Sequence, residues 1–344
     1  MAIQPSKKTA SSRIGLCALF AAALMGSAAL PSNAEAFDFK LPASDYGEVV
    51  LPLRQSLGDA ARDVIDRKNV FEPVGLLRED DPVRQLARSV GRLDLKVEED
   101  GQQFLSTCTA TIVEGGLVLT NYHCIPGFSG KVLEASLLLD YYGPDSQTTR
   151  IPVETTPVEQ DQTLDYALAR LAGPVPEGLQ PPSFTPDRSR PLERLLVIHH
   201  PAGQPKMMTQ FRCYAAQSQD EGPKLRHRCD TLPGSSGAPI FNTERQVIGI
   251  HHSGGLNEND PNSFNQGSNS SDILLKSAFL HAPAAGAPQD DATPVATAPS
   301  NGTTQPAAAE QPSVGRSDAG GPAQNSFING GVDPAAEYNK LLSQ

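Results

Sequence analysis

A serine in a glycine-rich segment is the residue of this sequence best suited to act as a nucleophile. Ser236 lies in Pro-Gly-Ser-Ser-Gly-Ala-Pro-Ile-Phe, residues 233–241, between a turn and an apolar strand. An alcohol is a weak nucleophile that needs exposure on a tight turn and backbone N–H groups that stabilise an oxyanion. Gly234 has no Cβ, so its amide can turn towards a substrate, and Ser236 can supply the second N–H. For this segment alone, an ordinary Gly/Ser turn is the alternative.

A hydroxyl nucleophile also needs a base and a residue that orients the base. His123 ends a predicted strand directly before Cys124, and a disulfide there would fix its loop. A carboxylate that accepts from the second ring nitrogen fixes the tautomer. Asp165 begins an alternating strand between His123 and Ser236 in the sequence. Asp161 is the alternative, although its polar neighbours predict that it faces water.

The cysteines predict two disulfides. Cys17 lies in an apolar N-terminal run, which leaves four cysteines for the folded region. Four cysteines can be connected in three ways, and the local connection pairs Cys108 with Cys124 and Cys213 with Cys229. Each closes a loop of about 15 residues, which stabilises by roughly 3 kcal/mol in the chain-entropy model. A zinc site is the alternative, but zinc ligands usually come as close cysteine pairs, which these spacings do not offer.

Adjacent histidines raise the question of a metal site. His199 and His200 form one pair, and His251 and His252 form another. Neighbouring residues in a strand point to opposite faces, so neither pair chelates easily. We predict structural or surface roles for His199, His200 and His252, and we expect no metal and no cofactor.

The ends of the 344-residue chain differ from its middle. Three basic residues precede an apolar run over residues 14–30, followed by small residues at Ala34 and Ala36, so residues 1–36 are predicted to be an export signal. An uncleaved membrane anchor is the alternative. Residues 283–344 are rich in Ala, Pro and Gly and predict a disordered tail with a short helix possible at its end.

Residues 37–87 are predicted to form an N-terminal arm or a propeptide, with helical spacing over residues 59–68. Residues 88–282 consist of short β-type runs separated by turns; for example, Leu93, Leu95 and Val97 alternate with charged residues. The Pro/Gly-rich stretch over residues 172–191 divides two such sets, and residues 272–280 predict a terminal helix. An all-β sandwich or barrel is therefore expected.

The segments around His123, Asp165 and Ser236 resemble the three catalytic blocks of the trypsin-like serine peptidases, in that family's order. The Cys108–Cys124 bridge is part of the resemblance, which covers roughly residues 88–282. It implies an all-β fold of two six-stranded antiparallel β-barrels with the active site in the cleft between them.

Within that family, residues 198–203 and 247–255 are closest in appearance to the bacterial glutamyl endopeptidase branch. The resemblance implies that Ser253, Gly254 and Gly255 present an edge strand that pairs with substrate backbone. Thr231 and His251 match residues that hold a glutamate side chain in that branch. Asp230, however, stands where trypsins have the aspartate that attracts Lys or Arg, so the sequence leaves acidic, mixed and basic preferences open.

A second departure concerns activation. Ser235 stands where trypsins have an aspartate that pairs with a newly cut N-terminus. Activation by that salt bridge therefore cannot operate, and the hypothesis is that the oxyanion hole forms without it.

The sequence predicts a monomeric serine endopeptidase that is exported, either secreted or periplasmic, and acts on a protein or peptide substrate. A formal net charge of −11 argues against a nucleic-acid partner. A non-catalytic binding protein on the same scaffold is the alternative. A combined protease and chaperone is disfavoured because the composition from residue 283 onwards does not suit a peptide-binding module.

Overall fold

The computed structural model describes residues 40–49, 71–127, 130–219, 222–257 and 259–282. The predicted export signal, the predicted tail and the helical pattern over residues 59–68 lie outside the described residues. Within the described ranges, no helix is long and apolar enough to cross a membrane.

The first of two antiparallel sheets has the order β7-β6-β3-β4-β5-β9-β8, with β1 paired to β4. A bridge joins Val153 of the end strand β7 to Leu171, the residue after β9, and the N–H of Ala172 donates to the carbonyl of Pro152 at 2.8 Å. The sheet thus closes on itself. Its strands are β1 (Leu41–Pro42), β3 (Val90–Glu99), β4 (Gln102–Val113), β5 (Leu117–Thr120), β6 (Lys131–Leu139), β7 (Thr149–Val153), β8 (Glu159–Asp161) and β9 (Tyr166–Arg170).

The second sheet has the order β12-β15-β14-β13-β10-β11-β2. Bridges from Arg194 to Tyr214 and from Ala215 to His227 link the segment before β10 to β12. Its strands are β2 (Glu72–Pro73), β10 (Leu196–His199), β11 (Met207–Thr209), β12 (Lys224–His227), β13 (Pro239–Phe241), β14 (Val247–Ser253) and β15 (Asn265–Asn269). The described residues also form the helices α1 (Pro82–Ala87) and α2 (Ser270–Lys276).

The expected all-β class with two antiparallel sheets and a short C-terminal helix is confirmed. Each sheet, however, has more than six strands. The segment over residues 40–49 adds β1 to the first sheet and the segment over residues 71–87 adds β2 to the second. The short strand β8 also pairs with β9. The described parts of the predicted arm are therefore built into both sheets.

Strand β3 shows why the apolar pattern alone underestimates the core. Leu93, Leu95 and Val97 pack inside the first sheet. The alternate residues Arg92 and Asp94 are also buried, as an ion pair with Nε to Oδ1 at 2.7 Å. A second apolar cluster combines side chains from both sheets, including Val90, Leu119, Leu168, Ile198, Phe241 and Ile250. The two sheets therefore share an apolar core.

Lys206 ties the segment before β3 to the second sheet. Its side chain is fully buried, and Nζ donates to the carbonyl of Ala87 at 2.7 Å. Its own carbonyl accepts from the N–H of Val74 at 3.1 Å. Burial lowers the pKa of Lys206 to about 7, although the nearby Asp140 carboxylate acts in the opposite direction.

Because the pKa of Lys206 is lowered in the folded state, we expect the free energy of unfolding to rise with pH above neutrality. The unfolded lysine keeps its proton up to a pKa of about 10.4, so between pH 7 and 10 the unfolded state binds more protons. The unfolding free energy should then rise by up to about 1.4 kcal/mol per pH unit. Lys206→Met should remove this slope in urea unfolding at pH 7, 8 and 9. If the free energy of unfolding changed with pH equally in the parent and in Lys206→Met, the prediction would be wrong. Folded Tyr141 and Tyr142 keep their protons in this window because burial raises their pKa values to about 12, and unfolded tyrosines, with a pKa of about 10, are still mostly protonated at pH 7 to 9.

Candidate active site

His123 opens a tight turn, His123–Gly127, three residues after β5 ends. The turn is tied to β4 by the disulfide Cys108–Cys124, with a Cα–Cα distance of 6.4 Å. The second local pair, Cys213–Cys229, is also a disulfide. His123 lies within 4.8 Å of both sulfurs of the first pair, but those sulfurs are bonded to each other and are not free as metal ligands.

Asp165 holds His123 with both carboxylate oxygens. Oδ2 lies 2.7 Å from Nδ1 of the imidazole, and Oδ1 accepts from the backbone N–H of His123 at 3.0 Å. Asp165 lies directly before β9 in a left-handed conformation with φ of 48°, which aspartate tolerates better than most residues. Nδ2 of Asn121 donates to the Asp165 carbonyl at 2.7 Å and fixes this conformation. Both side chains are largely buried.

Asp161, the alternative carboxylate, has other partners. Its Oδ1 accepts from the N–H of Leu164 at 2.8 Å, and it forms an ion pair with Lys276 of α2. These hydrogen bonds lower its pKa in spite of partial burial. The structure therefore brings Asp165, and not Asp161, to the imidazole.

Ser236 lies on a loop that packs against the first sheet. Its side chain is partly exposed, and its carbonyl accepts from the N–H of Thr109 at 2.7 Å. Gly234 and Gly237 flank it with φ of 93° and 83°. A Cβ at Gly237 would collide with the carbonyl of Thr109, and one at Gly234 would lie 2.7 Å from the carbonyl of His200. Both glycines are required by this close approach.

The backbone of this loop presents two N–H groups. Among the described residues, the amides of Gly234 and Ser236 have no hydrogen-bond acceptor. The carbonyl of Pro233 accepts from the N–H of Ala202 at 2.6 Å. Because N–H and C=O of a trans peptide point in opposite directions, this bond directs the Gly234 N–H away from Ala202. Two such N–H groups on one loop could act as the donors of an oxyanion hole.

Ser235 is buried in a neutral network. The hydroxyl of Thr209 donates to the carbonyl of Asp230, so it must accept from Nε2 of His199 at 3.1 Å. Nδ1 of His199 then accepts from the Ser235 hydroxyl at 2.8 Å. That hydroxyl also accepts from the N–H of Leu232. Burial lowers the pKa of His199 to about 3, which keeps the network uncharged.

A second histidine chain leads to the predicted specificity residues. The N–H of Cys229 donates to Nδ1 of His227 at 3.3 Å, so Nε2 of His227 carries the proton and donates to Nδ1 of His251 at 3.2 Å. His251 therefore carries its own proton on Nε2, which has no partner among the described residues. Burial, followed by the charges of neighbouring histidines, lowers the pKa of His251 well below its usual value.

The other predicted pocket residues lie close to this chain. Thr231 Oγ1 accepts from Nδ2 of Asn265 at 3.0 Å and so keeps its own O–H to donate. Asp230 is buried, with 6% of its surface exposed. Strand β14 pairs with β13 only as far as Ile250, and Ser253 continues into the exposed Gly254 and Gly255.

His200 and His252, the remaining histidines of the adjacent pairs, differ in burial. His200 is fully buried, with Nδ1 donating to the carbonyl of Gln204 at 2.9 Å. His252 is partly buried, and burial lowers its pKa to about 4 while the nearby Asp165 acts in the opposite direction. Sequence reasoning missed Thr109, Ala202 and His227. Only the position of Thr109 directly after Cys108 was a usable signal.

Comparisons with known proteins show what the chain is similar to. A family model described as "Trypsin-like peptidase domain" matches residues 108–250. The glutamyl endopeptidase of Staphylococcus epidermidis is 36% identical over 62 residues, which is 18% of this chain and 22% of the relative. The chain thus aligns with about a fifth of the length of the curated relatives it matches.

Solved structures of proteases are also similar to this chain. The active form of the Rv3671c protease from M. tuberculosis has a TM-score of 0.45 and 18% identity, over 59% of this chain and 88% of that one. The serine endoprotease from Yersinia pestis has a TM-score of 0.42 and 15% identity, over 56% and 62% of the two chains. The family model identifies residues 108–250, which lie within the two-sheet fold, as a trypsin-like peptidase domain.

Proposed function

We propose that this protein is a serine endopeptidase that hydrolyses peptide bonds through an acyl-enzyme on Ser236. The observation that carries the proposal is the 2.7 Å hydrogen bond between Nδ1 of His123 and Oδ2 of Asp165. An ionised carboxylate can only accept, so it keeps the proton on Nδ1 and leaves the Nε2 lone pair to act as base. The loop of Ser236 packs on β4 directly beside the cysteine that bridges to Cys124.

In the proposed reaction, the Ser236 oxygen attacks the scissile carbonyl while Nε2 of His123 takes its proton. The N–H groups of Gly234 and Ser236 stabilise the oxyanion of the tetrahedral intermediate. The imidazolium of His123, stabilised by Asp165, then gives its proton to the leaving amine as the C–N bond breaks. Water, deprotonated by His123, releases the acyl group by the same steps in reverse.

We propose that an extended substrate pairs its backbone with the edge formed by Ser253, Gly254 and Gly255. For the residue before the cut bond we propose an acidic preference. A neutral His251 that donates from Nε2 and a Thr231 hydroxyl free to donate suit a carboxylate. The carboxylate of Asp230 would oppose an acidic preference if it faced the substrate. Asp230 is buried, which favours the acidic preference.

The proposal includes export to an oxidising compartment, either the periplasm or the exterior, and action as a monomer without metal, cofactor or nucleic acid. Two disulfides support such a compartment because cytosolic thiols are normally kept reduced. The formal net charge of −11 is unsuited to phosphate backbones.

Labelling with a fluorophosphonate tests the proposed chemistry. Purified protein starting at residue 37 should form a covalent adduct on the peptide that contains Ser236, and heat-denatured protein should not. Native protein that stays unlabelled beside a reacting reference serine protease would contradict the proposal and favour a non-catalytic binding protein. Labelling of this form before any trimming also tests whether the oxyanion hole needs a new N-terminus.

A peptide-library cleavage profile tests the acidic preference. The parent should favour Glu or Asp before the cut bond, and Thr231→Val should weaken that preference by roughly tenfold because one donor to the carboxylate is lost. Asp230→Asn serves as the matched variant and should leave the preference acidic. A parental profile dominated by Arg or Lys, and lost in Asp230→Asn, would show that Asp230 sets the specificity instead.

A further inference from the structure

The loop that presents the oxyanion donors is bound to the first sheet by one fully buried side chain. Thr109 of β4 donates its hydroxyl proton to the carbonyl of Gly234 at 2.8 Å. The same hydroxyl oxygen accepts from the N–H of His200 at 3.1 Å. The Thr109 hydroxyl therefore joins the oxyanion loop to the turn that follows β10.

That turn holds the other side of Gly234. It comprises Pro201–Gly203, and its Ala202 N–H donates to the carbonyl of Pro233. The peptide before Gly234 is thus held by Ala202. The carbonyl of the peptide after Gly234 is held by Thr109, and its N–H, that of Ser235, donates to the Leu232 carbonyl at 2.9 Å within the loop. A glycine at φ of 93° has no Cβ to limit its rotation, so these hydrogen bonds restrain it, and only those from Ala202 and Thr109 come from outside the loop.

The turn is itself anchored to the first sheet. Arg92, which is ion-paired with Asp94, donates from a terminal guanidinium nitrogen to the carbonyl of Gly203 at 3.0 Å. Ala202 has a φ of 51°, a left-handed conformation that is unusual for alanine and is kept here by its surroundings. Residue 235 is a serine whose hydroxyl bonds to His199, so this position has no carboxylate that could form a salt bridge and fix the loop.

We propose that Thr109 is a positioning residue for the oxyanion hole, and that its hydroxyl takes over the restraint that a salt bridge to a new N-terminus gives trypsins. The inference rests on the proposed function and adds to it a residue that does not touch the substrate. It acts only through the orientation of the Gly234 peptide groups, so its loss affects the transition state more than the bound substrate.

The test compares Thr109→Val with Thr111→Val. Both threonines lie on β4, two residues apart, and both are buried. The hydroxyl of Thr111 has no hydrogen-bond partner among the described residues, so its removal controls for the change in shape. Active-site titration first corrects each sample for its fraction of folded enzyme.

Thr109→Val should lower kcat about 10- to 100-fold with KM changed less than about threefold, because an oxyanion donor is misplaced and not removed. Affinity for a peptide boronic acid, which forms a tetrahedral adduct, should fall by a similar factor. Binding of an uncleaved peptide to the same variants carrying Ser236→Ala should stay unchanged. Thr109→Ser, which keeps the hydroxyl, should recover most of kcat, and Thr111→Val should match the parent.

Equal kcat and equal boronate affinity for Thr109→Val and Thr111→Val, in an active parent, would overturn the inference and leave the proposed function standing. A parent with neither turnover nor boronate binding would overturn both. If Thr109→Val does not fold, Thr109→Ala against Thr111→Ala gives the same comparison. A fall in thermal stability with unchanged kcat and boronate affinity would assign Thr109 a merely structural role and refute the proposal.

Discussion

Ser236→Ala is expected to lower kcat by about 10⁶-fold, the loss found when the nucleophile of a serine protease is removed. The alanine variant keeps His123, Asp165 and both oxyanion amides but has no oxygen that can form the acyl-enzyme. Its fold should survive, because the Ser236 side chain is partly exposed and makes no hydrogen bond to the described residues. The unfolding free energy should change by less than about 0.5 kcal/mol. Hydrolysis of a peptide pool and urea unfolding measure the two quantities.

The neighbouring serine provides the matched control. Ser235→Ala removes a hydroxyl that contacts His199 and Leu232, so it should cost about 1–3 kcal/mol of stability. It should nevertheless react with a fluorophosphonate, since the nucleophile remains. If labelling were lost in Ser235→Ala and retained in Ser236→Ala, the nucleophile would be Ser235 and the assignment to Ser236 would be wrong.

Asp165→Asn is expected to lower kcat about 10⁴-fold, and the structure gives the reason. One carboxylate oxygen accepts from the backbone N–H of His123 and the other from its Nδ1–H. The backbone N–H cannot become an acceptor, so the asparagine NH₂ must face Nδ1. Nδ1 then loses its proton to Nε2, and an imidazole protonated on Nε2 cannot deprotonate Ser236.

Asp161→Asn is the control for this prediction. It removes the charge that pairs with Lys276 but leaves the imidazole untouched, so kcat should stay within about threefold of the parent. Steady-state kinetics on both variants, with circular dichroism to check folding, makes the comparison. A large loss in Asp161→Asn and a small one in Asp165→Asn would reverse the roles of the two aspartates.

Local sequence was sufficient for the features that depend on neighbouring residues. The alternation in residues 92–97 and the apolar run after Ala238 predicted strands that the structure has. The apolar alternation also indicated the class of fold. The arm over residues 37–87 was ambiguous because two-residue strands such as β1 and β2 have no periodicity of their own. They form only by pairing with strands distant in the chain.

The sequence by itself determined which residues carry the proposed chemistry: Ser236 between its glycines, His123 beside a cysteine, and an aspartate near residue 165. The tertiary structure decided which aspartate meets the imidazole, because Asp161 and Asp165 differ in their partners and not in their type. It also buried Arg92 and Asp94, which a strand pattern would leave in water, since each neutralises the other. The support of Gly234 by Thr109 spans 125 residues, so no local pattern could reveal it.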